Sequence, residues 1–114
     1  MTPAIPTYCT NVHAGRTLEE TEANLDRFAV RVRELTAPES DPAAPIGLGL
    51  WLSAESAREL RASNGARALR DRLGAKGLHV TTLNGFPYGD FHADVVKHAV
   101  YEPHWADPRR LAYT

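Results

Sequence analysis

The sequence predicts an α/β fold, a parallel sheet with helices wound between its strands. Strand-like stretches at residues 7–12, 46–52 and 78–83 alternate with long amphipathic stretches, the pattern of βαβ units. Helix-start residues stand just ahead of the amphipathic stretches, at Thr17, Ser53 and Asp107. The length is 114 residues, room for one domain at most. Three parallel strands covered on one face leave the other face and an edge open, whereas parallel sheets normally bury both faces. An eight-stranded βα barrel takes roughly 250 residues. The expectation is therefore that residues 1–114 are the N-terminal βαβαβ(α) part of a larger (β/α)8 barrel, a portion of one domain, truncated or completed by partners.

Each element has its own signal. Residues 7–12 form the first strand. A helix follows over 18–35, opened by the T-x-x-E capping box of Thr17 and Glu20. Leu25, Phe28, Ala29, Val32 and Leu35 recur at helical spacing and make its apolar face. Three prolines in "APESDPAAP", residues 37–45, end it. The second strand is 46–52, after which Ser53 caps the next helix. Asn64-Gly65 interrupts that helix, Ala66, Leu69 and Leu73 resume it, and Gly74 and Gly77 end it. Strand three is 78–83. Asp107 and Pro108 read as N-cap and first residue of a last helix.

Composition excludes several classes. Apolar residues make up 43% and charged residues 24% of the chain, the balance of an ordinary globular protein. A net charge of −1 argues against a nucleic-acid or anionic-membrane gripper. The longest apolar run, "IGLGLWL", is too short to span a bilayer. "MTPAIPTYCT" lacks the basic and apolar regions of a signal peptide, so the default location is cytoplasmic. Cys9 is the single cysteine, which leaves no disulfide framework and no Cys-rich zinc site; it reads as a small buried apolar residue.

Function in parallel sheets collects at the C-terminal ends of the strands. After the first strand come Asn11 and His13, which strict alternation puts on one face with Cys9. Near the end of the second is Trp51, on the face of Gly47 and Gly49, where two missing side chains leave room beside the indole. It serves either barrel filling or substrate stacking. After the third comes "NGFPYGDFH", residues 84–92, with Asn84, Tyr88, Asp90 and His92. This loop carries too much aromatic surface for a mere connection, and His and Asn beside aromatics line many sites. His79 and His98 read as structural or exposed; His104 is a further candidate for the same pocket. Arg58, Arg61, Arg67, Arg70 and Arg72, interleaved with Glu55, Glu59 and Asp71, read as a solvated helix face. Only Asp90 and Asp94 offer a carboxylate pair.

"YCTNVH" at 8–13, "GLGLWLS" at 47–53, "NGFPYGDFH" at 84–92 and "VKHAVYEPHW" at 96–105, closing on "RLAYT", resemble the N-terminal portion of the EboE-type metabolite traffic proteins. That group lies in the xylose-isomerase-like TIM-barrel superfamily, beside sugar phosphate isomerases and epimerases. The resemblance implies a (β/α)8 barrel with a pocket for a small polar metabolite. It also implies a divalent metal that polarises substrate oxygens, bound mainly by residues of later strands beyond this chain, so no metal ligand is assigned here. It carries over Asn11, His13, Asn84 and Tyr88 as substrate contacts and His92 as the catalytic residue, whose ordinary pKa near 6.5 suits proton transfer. Trp51, a substrate-contact candidate from its place on the glycine face, stands where many relatives have a polar residue. Phe86, Tyr88 and Phe91 would exclude water from the mouth.

Two rival readings share the barrel. One is a non-catalytic metabolite carrier or scaffold. The other is a metal-dependent phosphodiesterase of the endonuclease IV type, which the near-neutral charge disfavours. The expected partner is a small-molecule metabolite, with no nucleic acid and no membrane segment, and an oligomer stays open. By itself the chain is expected to be inactive and marginally soluble, with Leu48, Leu50 and Val80 exposed on its open sheet.

Overall fold

Alternate residues of the second strand decide how the sheet faces. A computed structural model describes residues 5–89 and 101–114. Its strands are β1 (Thr7–Cys9), β2 (Ile46–Trp51) and β3 (Leu78–Asn84). They form one parallel sheet in the order β1-β2-β3, with Thr7 opposite Gly47 and Ile46 opposite Leu78. Ile46, Leu48 and Leu50 point into one core with Leu18, Leu25, Ala29, Leu60, Leu69, Leu73 and Leu78. All of those partners but Leu78, which opens β3, come from the helices between the strands, so one face of β2 takes that apolar helical surface. Leu48 and Leu50 are thus buried, not exposed as the sequence suggested, and each contributes about 1.5–3 kcal/mol by leaving water. Val80, on the edge strand, does remain partly exposed.

Gly47 and Gly49 face the opposite way. A Cβ on Gly47 would lie 2.7 Å from Thr7 Oγ1 and 2.9 Å from Thr81 Cγ2. The neighbouring strands' threonines thus occupy the volume that glycine leaves. The β2–β3 register shifts between Leu48 and Gly49, an extra residue of the bulge kind. Thr81 is the residue passed over, and its hydroxyl donates to Leu48 C=O at 3.1 Å. Thr81 and Thr82 consequently both approach the glycine face.

The first helical stretch runs through α1 (Leu18–Asn24), a π turn at Leu25–Ala29 and α2 (Val30–Thr36). Both halves of the Thr17–Glu20 capping box form. The π turn inserts a residue and rotates everything after it by about 100° relative to a regular helix. Leu25 and Ala29 stay in the core, but Leu35 is 67% exposed, contrary to the regular spacing. The next helices are α3 (Ala54–Ser63) and α4 (Ala66–Ala75). Ser53 Oγ accepts from Ser56 N–H at 3.1 Å, and Asn64 takes the left-handed conformation (φ 51°) that separates the two helices. Gly74 lies inside α4 and does not end it. Gly77 makes the turn into β3 at φ 73°, where a Cβ would also strike Arg33. Arg72–Glu22 and Lys76–Asp26 pairs tie α4 to the first helical stretch; exposed pairs of this kind contribute at most about 1 kcal/mol.

The last element is α5 (Pro108–Tyr113). Asp107 caps it by accepting from Arg109 N–H at 2.9 Å and pairs with the Arg109 guanidinium at 2.7 Å. The Arg109 side chain, then its N–H, hold the Asp107 carboxyl down to about 2 from an ordinary 3.8. A depressed carboxyl stabilises above its unfolded pKa and stops doing so as pH falls through its folded one. The cap is therefore expected to persist as pH drops past 4 and to disappear around 2. Carbon NMR of the Asp107 carboxyl, with the amide shift of Arg109, checks this. A midpoint near 3.8 would contradict it.

Candidate functional site at the strand ends

The chain leaves the extended conformation one residue after Cys9. Thr10–Val12 form a 3-10 turn where the sequence predicted continued strand. Thr10 is buried there, its hydroxyl accepting from Trp51 N–H at 2.9 Å. This bond ties the end of β1 to the end of β2 and breaks the alternation that would have put Asn11 and His13 together.

Asn11 comes to Asn84 instead. Asn84 Nδ2 donates to Asn11 Oδ1 at 2.6 Å, and Asn11 Nδ2 donates to Phe86 C=O at 3.2 Å. Cys9 joins them, its thiol donating to Asn11 Oδ1 at 3.3 Å, and Asn84 Nδ2 lies 3.6 Å from Sγ. Cys9 is exposed, not buried as its residue type suggested, because it lies on the glycine face and none of the core-forming helices covers that face. The result is a polar cluster at the C-terminal ends of β1 and β3, bordered by Thr82 and by the start of the loop after β3.

His13 sits apart from that cluster. Its Nε2 is hydrogen-bonded to Tyr8 Oη, and its ring stacks on Phe28 at 4.2 Å and 9°. Tyr8 borders the helix-side core. Burial, then the nearby Cys9, push the Tyr8 hydroxyl above its usual pKa.

Trp51 is almost fully buried, and Nε1 donates to Pro87 C=O at 2.8 Å. The space expected beside Gly47 and Gly49 is taken by Thr7, Thr81 and Thr82. Trp51 is thus a structural wall that fastens the loop after β3 to the sheet. Tyr113 Oη reinforces the same joint from α5, lying 2.5 Å from Leu52 C=O and 3.1 Å from Pro87 C=O. Burial is the main cause that pushes its hydroxyl above the ordinary pKa.

Tyr88 turns toward the α3–α5 side. Its hydroxyl accepts from Arg58 Nη1 at 3.1 Å, its ring meets Tyr113 edge-on at 5.3 Å, and its C=O accepts from Ala54 N–H at 2.8 Å. His79 and His104 are exposed. His92, Asp90, Phe91, Asp94 and His98 lie outside the described residues.

Of the expected contacts, Asn11 and Asn84 are therefore brought together, while His13, Trp51 and Tyr88 occupy three other environments. Among the described residues no three His, Cys, Asp or Glu side chains converge. Two carboxamides and a thiol, already bonded to one another, do not fit a divalent metal by themselves. What the cluster offers is neutral donors and acceptors for a polar ligand. Among the described residues no helix is long and apolar enough to cross a membrane. Compared with protein families, curated proteins and solved structures, the chain matches none.

Proposed function

We propose that the described residues are the opening βα units of a (β/α)8 barrel whose mouth binds a small polar metabolite, as in the EboE-type traffic proteins that the sequence resembles. The observation that carries the reading is the Asn84–Asn11 hydrogen bond, which joins two strand ends across the glycines of β2. The topology supports it. Strands that follow one another in space as in sequence, with helical surface packed on one face, match a singly wound barrel. A doubly wound sheet reverses its strand order and carries helices on both faces. The polar, glycine-lined opposite face suits a ligand rich in hydroxyl groups, since a carboxamide presents one donor and one acceptor side by side. In this reading any isomerase-type proton transfer falls to His92, and a carrier would bind the same ligand without turnover.

The experiment is calorimetric titration with a panel of free sugars and sugar phosphates, on the full-length protein and on its Asn84→Ala and Asn11→Ala variants. Losing one ligand hydrogen bond is expected to weaken binding by about tenfold, or ~1.4 kcal/mol. Equal affinity in both variants and wild type overturns the proposal. Deuterium exchange from solvent into the bound sugar then separates turnover from carriage.

A further inference from the structure

The strongest unclaimed feature lies away from the strand ends, between α3 and α5. A cleft of about 490 Å³ is lined there by Arg58, Arg61 and Arg109 together with Tyr88 and Tyr113, a volume within the ordinary range for small-ligand sites. Three alanines and Thr114 complete the wall, and no Asp or Glu side chain lines it. Arg58 and Arg61 are three residues apart on α3, which puts them on one helix face. Arg58 is steadied by donating to Tyr88 Oη, a contact that leaves the phenol's proton available to a ligand. Arg109 is already paired with Asp107 and adds less charge.

A second observation comes from behind the cleft. Arg110 is 2% exposed, yet its guanidinium has no carboxylate partner among the described residues. Its Nη2 donates to Gly85 C=O at 3.0 Å, and Nε makes no hydrogen bond. Its charge rests against the rings of Trp105 at 4.0 Å, Phe86 at 5.4 Å and Tyr113 at 5.8 Å. Aromatic faces attract a cation but do not neutralise it. Tyr113, one wall of the cleft, thus has the buried Arg110 charge near its ring.

The geometry points to a binding site for a small oxyanion, the phosphate or carboxylate group of a soluble ligand, held by Arg58 and Arg61 with the Tyr88 hydroxyl as a third donor. Planar guanidinium groups suit this chemistry because two parallel N–H donors match two oxygens. The site is independent of the strand-end cluster, so either can fail without the other.

Proton–nitrogen NMR titration tests it, with inorganic phosphate in one arm and citrate in the other, against sodium chloride at matched ionic strength. Saturable shifts at the amides of Ala57, Arg61 and Tyr113 are expected, with a Kd on the order of 1 mM for a free ion. The arm that binds more tightly identifies the preferred head group. Both α3 arginines are exposed, so the Arg58→Gln/Arg61→Gln variant keeps the fold, and binding is expected to weaken at least about tenfold. Arg70→Gln, outside the cleft, should change nothing. Shifts no larger than those from chloride, or shifts that survive in the double variant, overturn the site.

Discussion

Replacing Leu48 with alanine is expected to remove a large share of the stability, on the order of a third. Leu48 is fully buried at the centre of the middle strand, between the helical surface and Ile46, Leu50 and Leu78. Truncating a leucine in such a place costs about 2–5 kcal/mol, the transfer loss plus the cavity left behind. A domain of this kind holds only about 5–15 kcal/mol in total. Urea denaturation followed by circular dichroism measures the loss as a lower midpoint at unchanged slope. Leu35→Ala is the matched control. That side chain is mostly exposed, and its removal should move the midpoint by about 0.5 kcal/mol or less. Similar losses in the two variants would contradict the placement of the core.

The second large effect concerns Trp51. Trp51→Ala should cost about 3–5 kcal/mol, because a large buried ring disappears. Trp51→Phe isolates the indole N–H. It keeps most of the packing and removes the 2.8 Å bond to Pro87 C=O. Tyr113 Oη, 3.1 Å from the same carbonyl, can still satisfy it. The phenylalanine variant is therefore expected to lose only about 1 kcal/mol. In a Trp51→Phe/Tyr113→Phe double variant the carbonyl loses both donors, so the combined loss should exceed the sum of the singles. Additive losses would mean that the two side chains do not share the Pro87 carbonyl. The same double variant should loosen the loop after β3, which amide exchange at Gly85 and Phe86 reports.

Local rules were enough to place the elements in the sequence. Strand and helix periods differ, and the residues that begin and end helices act through bonds to their immediate neighbours. Thr17, Ser53, Asn64 and Asp107 accordingly do what their types and spacing predict. The parallel pairing was legible from the βα alternation because consecutive parallel strands need a crossover between them.

What the sequence did not reveal depended on a partner far along the chain. Cys9 belongs to a type usually buried, but burial depends on what lies above the sheet, and none of the core-forming helices covers that face. Leu48 and Leu50 are buried by helices whose side of the sheet no local pattern states. Asn11 and His13 differ by two and would share a face if the strand continued. Thr10 instead bonds to the backbone of Trp51, 41 residues away, and turns the chain. Two glycines in β2 look like an empty pocket on paper, yet threonines of both neighbouring strands fill it. Arg58 and Arg61 read as solvated charges until α5 sets Arg109 and Tyr113 beside them. By itself the sequence determined the order and type of the helices and strands, the early end of β1 at Cys9 excepted, and which residues would cap the helices. The tertiary structure decided which side chains meet, because that depends on register, on a bulge and on a π turn, each a one-residue shift that reorients the residues after it.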